Sequence, residues 1–347
     1  MKTQKPVTIY DIAEKTNLSI ATISRVLNKK GRYSSATEAR VLKAMEELGY
    51  SPSASAQSLA SHQTHTLALI LPSWNKNPEG DAFTLQFLNG VMVAAHELKY
   101  DVLLDNHSSL TTDDAALFVQ RKKVDGLIFT YMFSDYHLFL SRLLENHFPV
   151  VYTGMRLPFD KAGCNVYGGH EIYKHDFLEL CYRKGFSSVA MFTGYFHAEN
   201  LKTAESSMKI MEDFRKEKGL SDSEYRLVLY DYYNSDSFQN QLCSLLTQKK
   251  PVQAIYLDQL LTCSQAYGII HSLGLRIPED ISIVATSQYR RGGEEFSPKL
   301  STTYVHSYEM GYNSVYMLVD KIQNRTSTIQ AEIPYSFLYR ESFLKDD

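Results

Sequence analysis

Six neighbouring residues near the start of the chain combine the side-chain types that contact base edges in DNA. Hydroxyl, apolar and guanidinium groups occur together in one short segment that contains Ser19, Ile20, Ala21, Thr22, Ser24 and Arg25. An arginine can donate two hydrogen bonds to a guanine, and apolar side chains contact the methyl group of thymine. The segment therefore suits the N-terminal end of a helix placed in the major groove. Taken alone, it could also form the solvated face of a small helical bundle.

Two short helices joined by a tight turn are predicted to position this segment. Thr8 and Asp11 form a capping pattern, so the first helix should begin at about Ile9. Asn17 is a residue type that ends helices, and Ser19 is suited to cap the second helix. Because only a few residues separate the two helices, they must cross steeply, as in a helix-turn-helix.

A third helix and the distribution of charge support this arrangement. Ser35 and Glu38 form a second capping pattern, apolar residues follow at helical spacing, and Gly49 supplies a stop. Residues 1–62 contain nine Lys and Arg against five Asp and Glu, whereas the remainder contains 27 against 34. A basic head on an acidic body indicates a nucleic-acid contact confined to one end of the chain.

The remaining residues, about 285, are enough for two α/β lobes. Short apolar runs with the length of buried parallel strands occur at residues 67–71, 102–104, 126–129, 150–152, 188–192, 254–257 and 281–284. Stretches with helical spacing lie between them, at residues 85–98, 169–182 and 204–218. This alternation predicts right-handed crossovers and parallel sheets covered by helices on both faces. The predicted fold class is a small all-α helix-turn-helix head followed by an α/β body of two doubly wound lobes.

Composition and missing motifs argue against several other classes of protein. No stretch of eighteen residues is apolar, and the N-terminus lacks the apolar run of a secretory signal. The eleven histidines are scattered, and no metal or redox spacing relates the cysteines Cys164, Cys181, Cys243 and Cys263. No glycine-rich nucleotide loop is present, and no spacing of Ser, His and Asp indicates a catalytic triad. We therefore expect a cytoplasmic protein that is not an enzyme and has neither metal nor cofactor.

The head resembles the lactose and galactose repressor (LacI/GalR) family of bacterial transcription regulators. The similarity runs without gaps from Thr8 to Leu59, and it includes the caps, the turn, the motif Ser24-Arg-Val-Leu-Asn28 and the hinge motif Ala56-Gln-Ser-Leu59. The resemblance implies that operator bases are contacted by Ile20, Ala21 and Arg25. It implies phosphate or supporting contacts for Thr8, Tyr10, Ser19, Thr22, Ser24, Asn28, Ser34 and Thr37. Ala56 and Leu59 lie where the family's hinge helix enters the minor groove, and Leu59 would wedge between base steps and kink the duplex.

The resemblance continues through the body, most clearly over residues 273–284 and again at 301–303 and 340–342. It implies lobes like those of periplasmic binding proteins, with a ligand cleft between them. The implied domains are a DNA-binding head at residues 1–50, a hinge helix and linker at 51–65, and an effector-binding and dimerisation domain at 66–347. The implied function is that of a homodimeric transcriptional regulator, a repressor of a metabolic and in particular a carbohydrate-utilisation operon. Its DNA partner would be a near-palindromic double-stranded operator.

The positions that hold sugar hydroxyls in the family carry other residues in this chain. The family's polar residues are replaced by Gly154, Ala204, Gln259 and Ser287. Without those carboxylates and a guanidinium, a hydroxyl-dense monosaccharide would bind weakly. The expected effector is therefore larger, less hydroxylated or anionic, with a glycoside or a sugar phosphate as the first candidate. Apolar walls and cationic groups could come from Trp74, Phe83, Lys202, Arg290 and Arg291, unless these aromatics only pack the lobes and these cations are only solvated.

Two alternatives remain open at this point. The same regulator could lack a conventional small-molecule effector and respond to a protein partner, or act constitutively. A cytoplasmic ligand-binding protein or enzyme with a head unrelated to DNA is the third reading. Such a protein would have no use for Arg25 and Leu59 at their spacing, so the head argues against it.

Overall fold

The computed structural model describes residues 7–27, 31–50, 63–71, 82–106, 112–121, 123–130, 137–154, 164–195, 202–231, 234–325 and 330–343. The chain divides into two compact units. One comprises Met1–Thr66 and Lys122–Asp125, and the other comprises Leu67–Arg121 and Gly126–Asp347.

Three helices form the head in the first unit: α1 (Ile9–Thr16), α2 (Ile20–Leu27) and α3 (Ser35–Leu48). The carboxylate of Asp11 accepts hydrogen bonds from the N–H and the hydroxyl of Thr8, each at 2.7 Å. Asn17 ends α1 in the left-handed conformation, with φ 47°. The predicted start and end of the first helix are therefore confirmed.

The cap of α3 differs from its prediction by one residue. Ser34 is the N-cap, because its Oγ accepts a hydrogen bond from the N–H of Thr37 at 3.1 Å, whereas Ser35 is already the first helical residue. Ser34 has an extended backbone, which lets a hydroxyl turn back onto the free N–H groups of the first turn. The predicted cap, Ser35, was therefore wrong by one residue, because two serines are adjacent at this point. Gly49 ends α3 at φ 65°, as expected.

One small core holds the three helices together. Each helix contributes a narrow apolar stripe, and the buried side chains are Ile12, Ile23, Val26, Val41 and Ala44. Because one stripe per helix is enough for this core, the outer faces of the helices are left for other contacts.

A single carboxylate in the first unit ties down residues 64–66. Asp125 Oδ1 accepts hydrogen bonds from the N–H and the hydroxyl of Thr64, at 2.7 and 2.9 Å, and Oδ2 accepts one from the N–H of His65 at 2.8 Å. The N–H of Asp125 donates in turn to the carbonyl of Thr66 at 2.8 Å. Hydrogen bonds to a charged group are stronger than neutral ones. Residues 64–66 are therefore held in place by Asp125.

The second unit begins a regular alternation of strands and helices. The strands are β1 (Thr66–Leu71), β2 (Asp101–Asn106), β3 (Gly126–Thr130), β4 (Val150–Gly154), β5 (Cys164–Gly168), β6 (Val189–Tyr195), β7 (Tyr225–Asp231), β8 (Ala254–Leu257), β9 (Ser282–Ser287), β10 (Ser301–Tyr304), β11 (Gln330–Ile333) and β12 (Ser336–Leu338). The helices are α4 (Ala82–Glu97), α5 (Thr112–Arg121), α6 (His137–Glu145), α7 (His170–Arg183), α8 (Lys202–Lys218), α9 (Ser235–Thr247), α10 (Leu261–Ser272) and α11 (Ser307–Ile322).

These strands form two sheets with the same winding. The first has the order β2-β1-β3-β4-β5-β11, and the second has the order β7-β6-β8-β9-β10-β12. The inner strands are parallel, with Leu67 opposite Gly126 in one sheet and Val189 opposite Ala254 in the other. β11 joins the first sheet parallel to β5, and β12 joins the second sheet antiparallel to β10. Each lobe is thus doubly wound, and the predicted fold class is confirmed.

Two helices cross between the lobes. α7 follows a strand of the first sheet, yet its Tyr173 and Phe177 pack on Tyr256 of the second sheet, with ring centroids 6.2 and 5.1 Å apart. α11 follows a strand of the second sheet, yet it packs on α4 and on strands of the first sheet. Its Ser314 hydroxyl lies 2.8 Å from the Thr153 hydroxyl of β4. Neither lobe is therefore a continuous piece of chain.

Two glycines let α4 and α11 touch through their backbones. A Cβ on Gly90 would lie 2.0 Å from the carbonyl oxygen of Tyr308, and a Cβ on Gly311 would lie 2.1 Å from that of Phe87. Any larger residue would push the helices apart. This close contact fixes the spacing of the two helices that cover one face of the first sheet.

Candidate DNA-binding face and ligand site

Helix α2 exposes the side chains that were predicted to contact bases. Ile23 and Val26 face the core, whereas Ile20, Ala21 and Arg25 are exposed. Ile20 is 39% exposed although it is strongly apolar, and contact with a thymine methyl would cover it.

Gly31 lies next to Arg25, the arginine that is predicted to bind guanine. A Cβ on Gly31 would lie 3.6 Å from Cδ of Arg25, so this glycine lies beside the methylene groups of the arginine. Its φ of +82° belongs to the left-handed region that glycine adopts without strain.

Four of the hydroxyl residues predicted to contact phosphates are paired with one another. Ser19 Oγ accepts a hydrogen bond from the N–H of Thr22 at 3.2 Å, and the two hydroxyls lie 2.9 Å apart. Ser34 and Thr37 repeat this pattern at 3.1 and 2.9 Å. These pairs cap α2 and α3, whose first turns offer N–H groups that favour an anion. Their phosphate contacts stay predictions, as do those of Thr8, Ser24 and Tyr10, the last of which is 69% exposed.

Some predicted site residues lie outside the part of the chain that the structure describes. On the DNA side these are Asn28, Ala56 and Leu59, and on the ligand side Trp74 and the side chain of Lys202. The predicted hinge at residues 51–65 falls largely in the same gap, so its boundaries also stay predictions.

The carboxyl ends of the strands are where doubly wound sheets bind ligands. Gly154 and Ser287 are the last residues of β4 and β9, and Gln259 lies two residues beyond β8. The structure therefore brings three of the predicted effector residues to the carboxyl edges of the two sheets. Ala204, in the first turn of α8, is fully buried and offers no polar group.

The aromatic and cationic residues that were predicted to contact the effector contact other residues of the chain. Phe83 stacks on Phe87, with ring centroids 5.8 Å apart, and packs against the core. Arg291 forms an ion pair with Glu294 at 2.9 Å. The backbone carbonyl of Arg290 accepts a hydrogen bond from Nη2 of Arg340 at 3.1 Å. These contacts favour core packing for Phe83 and loop structure for the arginines, while their contact with an effector stays a prediction.

Ser287 uses its hydroxyl within its own loop. The side chain is fully buried, and its Oγ donates to the carbonyl of Tyr289 at 2.9 Å and accepts from the N–H of Tyr289 at 3.1 Å. A Cβ on Gly292 would lie 2.2 Å from that oxygen, so the loop closes tightly over it. The hydroxyl holds the loop that follows β9.

Sequence reasoning missed a carboxylate at the same edge. Asp258 follows β8 directly and is half-buried, and its carboxylate accepts hydrogen bonds from the N–H of Gly194 at 2.8 Å and from the hydroxyl of Tyr230 at 2.9 Å. Burial raises the pKa of Asp258, while the charge of Lys174 and the two hydrogen bonds act in the opposite direction. A polar residue directly after a buried strand was the signal that could have found it.

Comparison with known proteins identifies both parts of the chain. The family described as "Bacterial regulatory proteins, lacI family" matches residues 8–53, and "Periplasmic binding protein-like domain" matches residues 178–343. The ribose operon repressor of Halalkalibacterium halodurans is 26% identical over 347 residues, which is 96% of each chain. Catabolite control protein A of Priestia megaterium is 26% identical over 349 residues, 97% of this chain and 99% of that protein.

Solved structures share the fold along nearly the whole chain. The lac repressor dimer bound to operator and the anti-inducer ONPF matches with a TM-score of 0.77 at 22% identity, covering 98% of this chain and 100% of that one. The complex of the transcriptional regulator CelR with cellobiose matches with a TM-score of 0.65 at 22% identity, covering 97% and 99%.

The matched domains and the similar regulators identify a DNA-binding transcriptional regulator, with a helix-turn-helix head whose second helix is exposed and a two-lobed α/β body. The head therefore carries the DNA-binding domain of the lacI family of bacterial regulatory proteins, and the body carries a periplasmic binding protein-like domain. Among the residues that the structure describes, no helix is long and apolar enough to cross a membrane.

Proposed function

We propose that the chain is a cytoplasmic, homodimeric repressor of a metabolic operon, whose affinity for a near-palindromic operator is controlled by a small molecule. The observation that carries the DNA part is the exposed face of α2, where Ile20, Ala21 and Arg25 lie opposite the buried Ile23 and Val26. One such helix reaches only a few base pairs, so two copies of the chain are needed for a specific site.

The effector would bind at the carboxyl edges of the two sheets, where Gly154, Asp258 and Gln259 lie. Its first candidate class is carbohydrate, as a glycoside or a sugar phosphate. Two observations about similar proteins support this class: one is named a ribose operon repressor, and the regulator CelR was solved with cellobiose. Coupling between ligand and operator would be about 1–3 kcal/mol, as is typical of two linked sites.

The decisive experiment on the DNA part replaces Arg25 by alanine. An operator is first selected from a random duplex library with the full-length protein, and affinities for it and for random DNA are then measured. A bidentate contact to guanine predicts that Arg25→Ala weakens operator binding by about 1–3 kcal/mol and changes binding to random DNA far less.

Lys43→Ala is a suitable control for this experiment. It removes the same charge from α3, at a side chain that is 77% exposed and makes only a long contact to Glu47 at 3.9 Å. It should lower binding to both DNAs slightly and equally. Equal losses on both DNAs for Arg25→Ala would show that the arginine contacts only phosphate, and failure to select any operator would refute the proposed function itself.

A further inference from the structure

Asp125 fixes the chain immediately before β1. Its carboxylate accepts hydrogen bonds from the N–H and the hydroxyl of Thr64, at 2.7 and 2.9 Å, and from the N–H of His65 at 2.8 Å. A carboxylate offers about four acceptor positions, so these bonds use most of its capacity. Asp125, Thr64 and His65 are called the linker anchor below. Because both carboxylate oxygens are engaged, the anchor fixes the orientation of the two bound residues as well as their position.

Further hydrogen bonds connect the linker anchor to the starts of two strands. The Thr64 hydroxyl that donates to Asp125 also accepts the N–H of Thr66 at 3.2 Å, and the Thr66 hydroxyl donates to the Thr64 carbonyl at 3.3 Å. The backbone N–H of Asp125 donates to the carbonyl of Thr66 at 2.8 Å. β1 begins at Thr66, and β3 begins directly after Asp125. The anchor therefore lies at the point where both strands start.

His65 adopts a backbone conformation that its residue type disfavours. Its φ of 51° lies in the left-handed region, which glycine adopts freely and residues with a side chain adopt at a cost. The N–H of the same residue donates to Oδ2 of Asp125, and a hydrogen bond to a charged acceptor is strong enough to act against that cost. The carboxylate therefore holds a sharp change of chain direction at His65, directly before β1.

The linker anchor sets where the tether between the head and the body ends. Loss of the Asp125 carboxylate would release Thr64 and His65 from these bonds, whereas the backbone bond to Thr66 would remain. Two released residues span up to about 7 Å when they are extended. Successive base pairs are about 3.4 Å apart along DNA. The additional length therefore corresponds to about two base-pair steps, which is enough to change the register of a head on its half-site.

We propose that Asp125 is a positioning residue for operator binding, which holds the end of the linker so that the two heads of a dimer bind half-sites at one spacing. It acts through the backbone of Thr64 and His65 rather than through contact with DNA. Dimers bind half-sites at a fixed distance, so the point from which each head is tethered must be fixed as well. This inference rests on the proposed function of a homodimer on a near-palindromic operator and adds the residue that sets the spacing.

The test measures how strongly binding depends on the spacing of the half-sites. The full-length protein first selects an operator from a random duplex library. Affinities are then measured for this operator, for the same operator with one base pair inserted at its centre, and for random DNA. The insertion moves the half-sites apart by about 3.4 Å and rotates them by about 35°. It should weaken binding of the wild-type chain about tenfold or more.

Asp125→Ala should change the dependence on spacing as well as the affinity. We expect it to weaken operator binding about tenfold, to leave binding to random DNA within about twofold, and to reduce the effect of the insertion to about threefold or less. A loss of folded protein would instead lower both affinities together and leave the effect of the insertion unchanged. Asp222→Ala removes the same charge from the exposed turn before β7 and should change all three affinities little.

Two substitutions at His65 form a matched pair. Both remove the exposed imidazole, but glycine adopts a φ of 51° freely, whereas the β-branched valine resists it. His65→Val should therefore weaken operator binding and reduce the effect of the insertion, as Asp125→Ala does. His65→Gly should keep the spacing dependence of the wild-type chain. This pair decides the question if Asp125→Ala fails to fold.

The outcomes separate this proposal from the proposed function. An effect of the insertion that is the same in Asp125→Ala or His65→Val as in the wild-type chain would overturn the role of Asp125. Equal losses on operator and random DNA would do so too, as would a wild-type chain that tolerates the insertion. Failure of the wild-type chain to select an operator, or selection of a site without two half-sites, would instead count against the proposed function.

Discussion

Replacing Gly90 by alanine should destabilise the body far more than the addition of one methyl group suggests. The new Cβ would lie 2.0 Å from the carbonyl oxygen of Tyr308 and 2.9 Å from the nitrogen of Tyr312. Both atoms belong to the backbone of α11, so no change of rotamer can relieve the clash. Since a carbon–oxygen contact requires about 3.3 Å, α11 would have to move by about 1.3 Å.

The expected cost follows from two opposing effects. Forcing a packed element aside costs about 1–3 kcal/mol, and a clash between two backbones belongs at the upper end, about 3 kcal/mol. Alanine is better than glycine in a helix interior by about 1 kcal/mol, which acts in the opposite direction. The net loss in the free energy of unfolding should therefore be about 2 kcal/mol.

Gly268 offers a matched control in another helix. It lies inside α10, and a Cβ there would meet no atom within 4 Å. Gly268→Ala should therefore stabilise the protein by up to about 1 kcal/mol through helix propensity alone. Urea unfolding of the full chain, followed by far-ultraviolet circular dichroism, measures both variants. Indistinguishable midpoints for the two would refute the close approach of α4 and α11.

Two further predictions concern the DNA-binding part. Leu59→Ala should reduce operator bending and specific affinity without unfolding the chain, because a wedge between base steps is lost; an unchanged bend angle in a circular-permutation assay would exclude the wedge. Ser34→Ala should lower the hydrogen-exchange protection of the first turn of α3 by an amount equivalent to about 1 kcal/mol, because the bond to Thr37 is lost. Ser35→Ala is the control and should change it little, whereas the reverse order would place the cap at Ser35 after all.

Most of the apolar runs that predicted strands share one physical property. Six of the seven are buried on both faces, so these runs are continuous and stand out in the sequence, whereas Leu103 and Leu104 of the edge strand β2 are exposed. All seven runs correspond to strands of the structure, namely β1, β2, β3, β4, β6, β8 and β9.

The strands that were missed are buried differently. β7 and β12 are edge strands with half-exposed positions, and β11 is an edge strand that contains a glutamate. β5 has only a short apolar signal, because Asn165 lies among its buried residues and the strand ends in the half-exposed Tyr167 and Gly168. β10 is buried but is built from Ser301, Thr302 and Thr303, whose hydroxyls give no apolar signal. A polar strand in a core is recognised only when its neighbours are known.

The predicted functional residues divide in the same way: those that depend on local contacts could be predicted, and those that depend on distant residues could not. The helix caps of the head depend on contacts within four residues, so they could be predicted, apart from the choice between Ser34 and Ser35. Asp258 depends on Gly194 and Tyr230, which are far away in the sequence. Carrying family positions over to Gln259 directed attention one residue past the half-buried carboxylate of Asp258.

The exchange of segments between the lobes sets the order in which the body can be completed during synthesis. β11 belongs to the first sheet and β12 to the second, and both come from residues 330–338. Domains usually fold one after the other as the chain leaves the ribosome, with the N-terminal one first. Here the first sheet lacks its last strand until Ile333 has emerged and the second until Leu338 has emerged, and the first sheet must wait for α11 as well. The two lobes should therefore mature together, late in synthesis, with the edges of β5 and β10 open for pairing until then.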